Sequence, residues 1–175
     1  MNYKYEDNLQ SERLITKFLT SDNVEDWIEF VSDSKSIAFF LTFVKGTPQE
    51  AAKSWIDKQI ERYCENRFGL QAIYDRKTNT FLGQCGLLLQ EIDGNNEVEI
   101  GYSFLRKYWG NGYAPEAAKL FFNYIKENKI SDTVISIIDI NNTNSQRVAE
   151  KNGFKRGKQV LWKEMEVYIY RKSVT

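Results

Sequence analysis

The stretch Val98–Ala118, VEIGYSFLRKYWGNGYAPEAA, constrains the fold of this chain more than any other segment. It reads as a half-buried strand, a short loop holding Gly110-Asn111-Gly112, and a helix opening at Ala114-Pro115-Glu116. Glycines ahead of a helix start leave several backbone N–H groups unpaired and sterically open, and the helix dipole favours negative charge at that end. A phosphate can approach such a loop. Glu99, on the preceding strand, is a carboxylate able to face the same opening. An anion cradle beside a candidate base is the layout of an enzyme that handles a phosphate-bearing cofactor, although a plain strand–turn–helix connection has the same local pattern. Two neighbouring readings are excluded. A dinucleotide fingerprint needs G-x-G-x-x-G, and Pro115 stands where the third glycine belongs; no Gly-Lys-Ser/Thr of a P-loop is present.

At 175 residues, 42% hydrophobic and 14% aromatic, the chain is expected to fold as one well-packed domain spanning residues 1–175. Lys plus Arg equals Asp plus Glu at 24 each, which gives no bulk positive field for nucleic acid. No apolar run approaches the roughly 18 residues of a membrane span, and MNYKYEDNLQ is unlike a signal peptide, so a cytoplasmic protein without membrane contact is expected. Cys64 and Cys85 lack metal-ligand spacing, and no metal site is expected. Histidine is absent altogether, which excludes a Ser-His-Asp triad and leaves acid–base work to carboxylates, tyrosines, hydroxyls, lysines or water.

Hydrophobic patterning predicts a strand in Ser11–Phe18, then a helix capped by Ser21 or Asp22 with Val24, Trp27, Ile28 and Val31 on one face. Thr47-Pro48-Gln49-Glu50 is a capping box with proline at the first helical position, opening a helix to about Asn66. Strands follow at Gly69–Tyr74 and Phe81–Ile92, a hairpin turn at Asp93-Gly94-Asn95-Asn96, and a strand at Glu97–Phe104. A helix is predicted over Ala114–Asn128, a doubly buried strand over Thr133–Ile140, a short helix over Asn144–Asn152, and two last strands at Lys155–Trp162 and Met165–Lys172. The order β-α-α-β-β-β-α-β-α-β-β describes an α/β domain around a central mixed sheet.

With these elements in place the chain resembles the GNAT superfamily of N-acetyltransferases. The superfamily's acyl-CoA motif, Arg/Gln-x-x-Gly-x-Gly/Ala, falls on Lys107-Tyr108-Trp109-Gly110-Asn111-Gly112. YWGNGYAPEA is similar to the RimJ/RimL branch of ribosomal-protein N-terminal acetyltransferases, as are Ser11-Glu12-Arg13-Leu14-Ile15 and the run Asn142–Phe154, which fits N-x-x-S-x-x-V-x-E-K-x-G-F. The resemblance implies a mostly antiparallel twisted sheet of about seven strands with about four helices, whose splayed central strands form an acyl-CoA cleft. It implies acetyl-CoA as donor, with backbone amides from Trp109 through Gly110, Asn111, Gly112 and Tyr113 to Ala114 on the pyrophosphate. The strand ending at Phe104, continued by Leu105, would present main-chain groups to the pantetheine, and Asn142 would reach it from the other side. Lys107 departs from the usual Arg or Gln.

Acetyl transfer needs a neutral amine, so a base or a water relay is required. Glu99 is the first choice for base; strand parity keeps Glu97 in reserve, and a surface role for Glu99 is the competing reading. Many family members protonate the leaving thiolate with a tyrosine in the helix after the fifth strand, but the matching residue here is Ala149. RimL-like enzymes use the serine of N-x-x-S, here Ser145, whose ordinary role would be to cap or brace its helix with Asn144. Tyr102 and Tyr113 are spare donors, and Lys151 and Arg147 can meet phosphates or simply face solvent. Glu91, Asp93, Glu97 and Glu99 form an acidic stretch that would favour a cationic acceptor, with charge for solubility at a hairpin tip as the competing reading. Ser32–Thr47 and the last hairpin are the expected acceptor loops, and that hairpin can also pair with a second copy in a homodimer. Protein N-termini, including ribosomal ones, and small-molecule amines all suit such a site. A non-catalytic acyl-CoA sensor on the same fold is the alternative.

Overall fold

Among the described residues, seven strands form one mixed sheet in the order β1-β2-β3-β4-β5-β7-β6, and four α-helices cover it. The computed structural model describes residues 4–40 and 44–175. Strands β1 (Leu14–Phe18), β2 (Leu70–Asp75), β3 (Phe81–Ile92) and β4 (Asn95–Phe104) run as an antiparallel meander. β5 (Thr133–Asp139) lies parallel to β4, and β6 (Lys155–Trp162) and β7 (Met165–Ser173) close the sheet antiparallel to one another. Asp93 (φ 51°) and Gly94 (φ 79°) are both left-handed, the two-residue turn whose twist matches antiparallel strands. The β3–β4 ladder therefore continues to Ile92↔Asn95, two residues further than the sequence pattern suggested.

The helices differ in how their first N–H groups are met. In α2 (Pro48–Cys64), Thr47 Oγ1 accepts from the Glu50 N–H (3.2 Å) and Glu50 Oε2 accepts from the Thr47 N–H (2.8 Å), completing the capping box. At α1 (Asn23–Ser32) Asp22 stands at the N-cap position but makes no side-chain cap bond, and Asn23 Oδ1 accepts from the Thr20 N–H just before the helix (3.0 Å). α1 and α2 lie over one face of the sheet and share a core of Val24, Trp27, Phe30, Ala52, Ile56 and Ala72. α3 (Tyr113–Glu127) covers the other face, placing Ala117, Ala118, Phe121 and Ile125 against Leu87, Ile100 and Val134. α4 (Thr143–Lys151) packs beside α3, with Ala149 in the same core. A 3₁₀ turn, Arg106–Tyr108, lies between β4 and the glycine loop and has no counterpart in the sequence reading.

The central junction is the feature that positions everything below. β4 and β5 share one register pair, Glu99↔Ile135, and then part. Two side chains occupy the gap: Ser136 Oγ donates to the Ile100 carbonyl (3.0 Å), and Glu99 Oε1 accepts from the Ile137 N–H (3.3 Å). The opening widens toward the carboxyl ends of both strands, where α3 and α4 begin. That end of a parallel pair is where α/β sheets hold ligands. Among the described residues no helix is long and apolar enough to cross a membrane.

Trp27 anchors the α1–α2 core. It is fully buried, stacks on Phe30 (ring centroids 4.1 Å apart), and meets Trp55 and Phe81. Trp27→Ala is expected to lower the unfolding free energy by about 3–5 kcal/mol in a urea titration. A loss below about 1 kcal/mol would show that this core contributes little.

Candidate active site

Gly110 (φ 79°) and Gly112 (φ 78°) are both left-handed, a conformation in which a side chain is strained, so the loop needs glycine at these two positions. The residue between them braces the turn, because Asn111 Nδ2 donates to the carbonyls of Tyr108 (3.0 Å) and Trp109 (3.2 Å). The Trp109 indole N–H reaches back to the Phe104 carbonyl (2.8 Å), tying the loop to the end of β4. Gly112 is the N-cap of α3, and its carbonyl accepts the first bond of the helix from the Glu116 N–H (3.2 Å). The N–H groups of Tyr113 and Ala114 precede that bond and point out of the helix end, and Pro115 has none.

A clamp fixes the loop from outside. Glu116 Oε1 accepts from Ser11 Oγ (2.7 Å) and from the Arg13 N–H (2.8 Å), while Oε2 meets Arg13 Nε (2.7 Å). Arg13 Nη1 also donates to the Asn111 carbonyl (2.9 Å), and its guanidinium stacks over the Tyr113 ring. The segments SERLI and YAPEA, a hundred residues apart in sequence, are thus two halves of one ion-paired contact.

Two cavities open along the β4–β5 gap. The loop cavity, of about 800 Å³, is lined by Phe104, Trp109, Gly110, Gly112, Tyr113 and Ala114 on one side and by Asn144, Val148 and Lys151 of α4 on the other. The α2 cavity, of about 250 Å³, runs beneath α2 past Glu99 to the tip of the β6–β7 hairpin. Both are lined by Phe39, Phe40, Tyr102, Ser103, Asn142 and Ser145, so these residues mark where the two spaces join.

Glu99 is buried and lines the α2 cavity, which removes the surface role as a competing reading. Burial pushes its carboxyl above the usual range, against hydrogen bonds from Gln90 Nε2 (2.7 Å) and the Ile137 N–H. Ser145 sits at the junction in the first turn of α4. Its N–H is capped by Asn142 Oδ1 (3.1 Å), and its carbonyl accepts from the Tyr102 hydroxyl (2.9 Å). Capping therefore falls to Asn142, not to Ser145 or Asn144, and the amide NH₂ is what Asn142 can turn toward a ligand. Tyr102 spends its hydroxyl on that carbonyl, and burial holds its phenol above the ordinary range.

Several residues singled out in the sequence are placed elsewhere. Lys107 Nζ bonds Glu29 Oε2 on α1 (2.7 Å), a contact that raises its pKa, and lines neither cavity. The Leu105 side chain is buried in the α1–α2 core and the Asn111 side chain turns into the loop, which leaves both residues the main-chain groups for which they were singled out. Glu97 is held by both guanidinium nitrogens of Arg171, and Asp93 by Lys158, so of the acidic stretch Glu99 alone lines the α2 cavity. Lys151 lines the loop cavity and Arg147 does not. Ala149 faces the core, so it says nothing about a donor at the cleft; the cleft-facing residues of α4 are Asn144, Ser145, Val148 and Lys151. Of the loop Ser32–Thr47, residues 41–43 lie outside the described residues, while Phe39 and Phe40 reach both cavities. Trp55, Lys58 and Arg62 of α2 line the α2 cavity and were missed, because on the sequence they look like the polar and aromatic faces of any amphipathic helix.

The family model "Acetyltransferase (GNAT) domain" matches residues 13–155, and the chain belongs to that family of acetyltransferases. It is 39% identical over 99 residues to the uncharacterized protein YkkB of Bacillus subtilis (strain 168), a match spanning 57% of this chain and 58% of that one. An acetyltransferase (GNAT family) from Bacillus anthracis superimposes with a TM-score of 0.77 at 23% identity, over 95% of this chain and 98% of that one. RimL, a ribosomal-protein α-N-acetyltransferase solved in complex with coenzyme A, gives a TM-score of 0.74 at 16% identity, over 96% and 98% of the two chains. At these identities the two structures establish the shared fold.

The Glu116 clamp makes a pH-dependent prediction. Burial raises the Glu116 carboxyl, but the bonds from Ser11 and Arg13 outweigh it and hold the pKa below the usual value. A depressed carboxyl stabilises the fold above the unfolded pKa and loses that contribution as pH falls. Glu116→Gln is expected to cost about 1–2 kcal/mol at pH 7 and to show a smaller deficit at pH 3, read by denaturant unfolding at both values. An equal deficit at both pH values would mean that the charge of Glu116 is immaterial.

Proposed function

We propose that this chain is an acetyl-CoA-dependent N-acetyltransferase of the RimJ/RimL-like branch, a single domain acting in the cytoplasm on a primary amine. The observation that carries the reading is the joining of two cavities at Tyr102, Ser103, Asn142 and Ser145, one beside open helix-terminal amides and the other beside a buried carboxylate. A two-substrate transfer needs that geometry, with each reactant in its own chamber and the reacting atoms at the shared wall.

The loop cavity suits acetyl-CoA. Left-handed Gly110 and Gly112 leave no side chain over the amides of Tyr113 and Ala114, and the helix end favours the pyrophosphate charge. Trp109 and Phe104 flank the groove, and Asn142 faces it from α4. Acetyl-CoA supplies an activated thioester. The α2 cavity receives the amine, and Glu99 takes its proton directly or through a water as the nitrogen attacks. A carboxyl raised by burial is better matched to this task than an exposed glutamate. Ser145 Oγ, at the shared wall, donates to the departing sulfur. Cys85 is buried in the core with its thiol pushed up by burial, and Cys64 is exposed; neither lines a cavity, so direct attack without an acyl-enzyme fits the site. A protein N-terminus and a small-molecule amine both suit this chemistry.

Glu99→Gln is expected to lower kcat about 10²-fold or more in a free-thiol release assay, while the Kd for acetyl-CoA stays within about twofold of wild type. Full activity in that variant would remove Glu99 as base. Gly112→Trp is expected to abolish acetyl-CoA binding by filling the loop, and unchanged affinity would remove the loop from the cofactor site.

A further inference from the structure

The wall of the α2 cavity carries more positive charge than an amine-binding site needs. Lys58 and Arg62 reach it from α2, and Lys163 reaches it from the turn of the β6–β7 hairpin, a hundred residues further along the chain. Among the described residues none of the three has a carboxylate within ion-pair distance, whereas Lys53, Lys107, Lys158 and Arg171 all do. Arg62 Nη1 donates to Gln59 Oε1 (2.9 Å), a neutral acceptor, and the Lys163 ammonium lies over the Trp162 ring (4.3 Å). Burial and mutual repulsion lower the pKa of Lys58, chiefly through desolvation and then through Arg62 and Lys163; Arg62 is lowered likewise, by burial and by Arg67. Glu61 offsets part of this from the same helix, and at Arg62 Glu99 offsets more of it from across the cavity.

Two acids line the cavity as well, Asp139 and Glu99, so its wall carries one more positive than negative side chain. Asp139 accepts from the Asn141 N–H (2.8 Å), and Glu99 accepts from Gln90 and the Ile137 N–H and is drawn electrostatically to Lys163 and Arg62 without forming an ion pair with either. Aromatic rings complete the chamber: Trp55, which donates its indole N–H to Gln84 Oε1 (3.1 Å), with Phe40 and Trp162. A purely cationic amine would meet three like charges against two acids on its way to Glu99. An amine that also carries an oxyanion would relieve their repulsion.

We propose that the acceptor is an amine bearing an anionic group, a carboxylate or a phosphate, which Arg62, Lys58 and Lys163 hold while its nitrogen points to the Glu99–Ser145 junction. This rests on the N-acetyltransferase reading and narrows it to a substrate class. It also reverses the expectation of a cationic acceptor drawn from the acidic hairpin stretch.

The test uses full-length protein and acceptor pairs that differ only in the anion: phenylalanine with phenylalaninamide, glutamyl with glutaminyl dipeptide amides, and phosphoethanolamine with ethanolamine. Free-thiol release gives kcat/KM for each member, and the pairs separate carboxylate from phosphate. The anionic member of at least one pair is expected to be favoured about tenfold or more. That ratio should collapse toward one in Arg62→Gln and in Lys58→Gln; Lys58 is exposed on α2, so its variant folds even if Arg62→Gln does not. Neutral members used as well as anionic ones, or a ratio unchanged in both variants, would overturn the proposal and leave acetyl transfer standing. Failure of the wild-type protein to bind acetyl-CoA would overturn the transferase reading itself, and this inference with it.

Discussion

Everything at the site depends on the way β4 and β5 separate after a single register pair. Parallel neighbours normally continue their ladder, and each residue beyond Glu99↔Ile135 gives up a backbone hydrogen bond by parting. The chain compensates with side chains. Glu99 accepts the N–H of Ile137 and Ser136 donates to the carbonyl of Ile100, so the gap opens without stranding these groups. The wedge that opens the sheet is the same carboxylate assigned the proton. The hydrogen bond Glu99 accepts from Ile137, together with the base role proposed for it, accounts for a buried acid mid-sheet among Ile100, Ile135 and Val98, where an apolar side chain would be the ordinary choice.

The surrounding elements turn this opening into a site. α3 and α4 both start at the wide end, bringing two helix N-termini to one rim. α3 leaves its first amides open, since its cap is a left-handed glycine without a side chain. α4 closes its own with Asn142, which leaves Ser145 in place at the junction. The difference is chemical: an open end can receive an anion, and a capped one can hold a donor still. Arg13 and Glu116 make the open end rigid by tying it to β1 and to the Asn111 carbonyl. Preorganisation of this kind lowers the ordering cost of binding.

Much of the fold was legible in the sequence because its signals are local. The capping box at Thr47–Glu50, the β-branched run of β5 and the glycines before α3 each specify their own element, and β3 and β6 begin and end where the pattern put them. What the sequence left open is what a distant contact decides. Lys107 belongs to a phosphate motif by position, yet Glu29 on α1 takes its ammonium. Ala149 and Ser145 are four residues apart on one helix, and only the packing of α4 shows that the first faces the core and the second the cleft. The α2 cavity was the least legible part. Lys58, Arg62 and Trp55 look like any helix surface until the β6–β7 hairpin brings Trp162 and Lys163 against them.

The central claim is that the space between β4 and β5 is an acyl-CoA cleft whose loop end binds the pyrophosphate. Calorimetric titration of the wild-type protein with acetyl-CoA, with ATP and NADH as controls, tests it most directly. The account predicts micromolar, one-to-one binding of acetyl-CoA and at least tenfold weaker binding of both controls. Absence of acetyl-CoA binding, or equal affinity for all three, would contradict it and leave the splayed sheet without the ligand proposed for it.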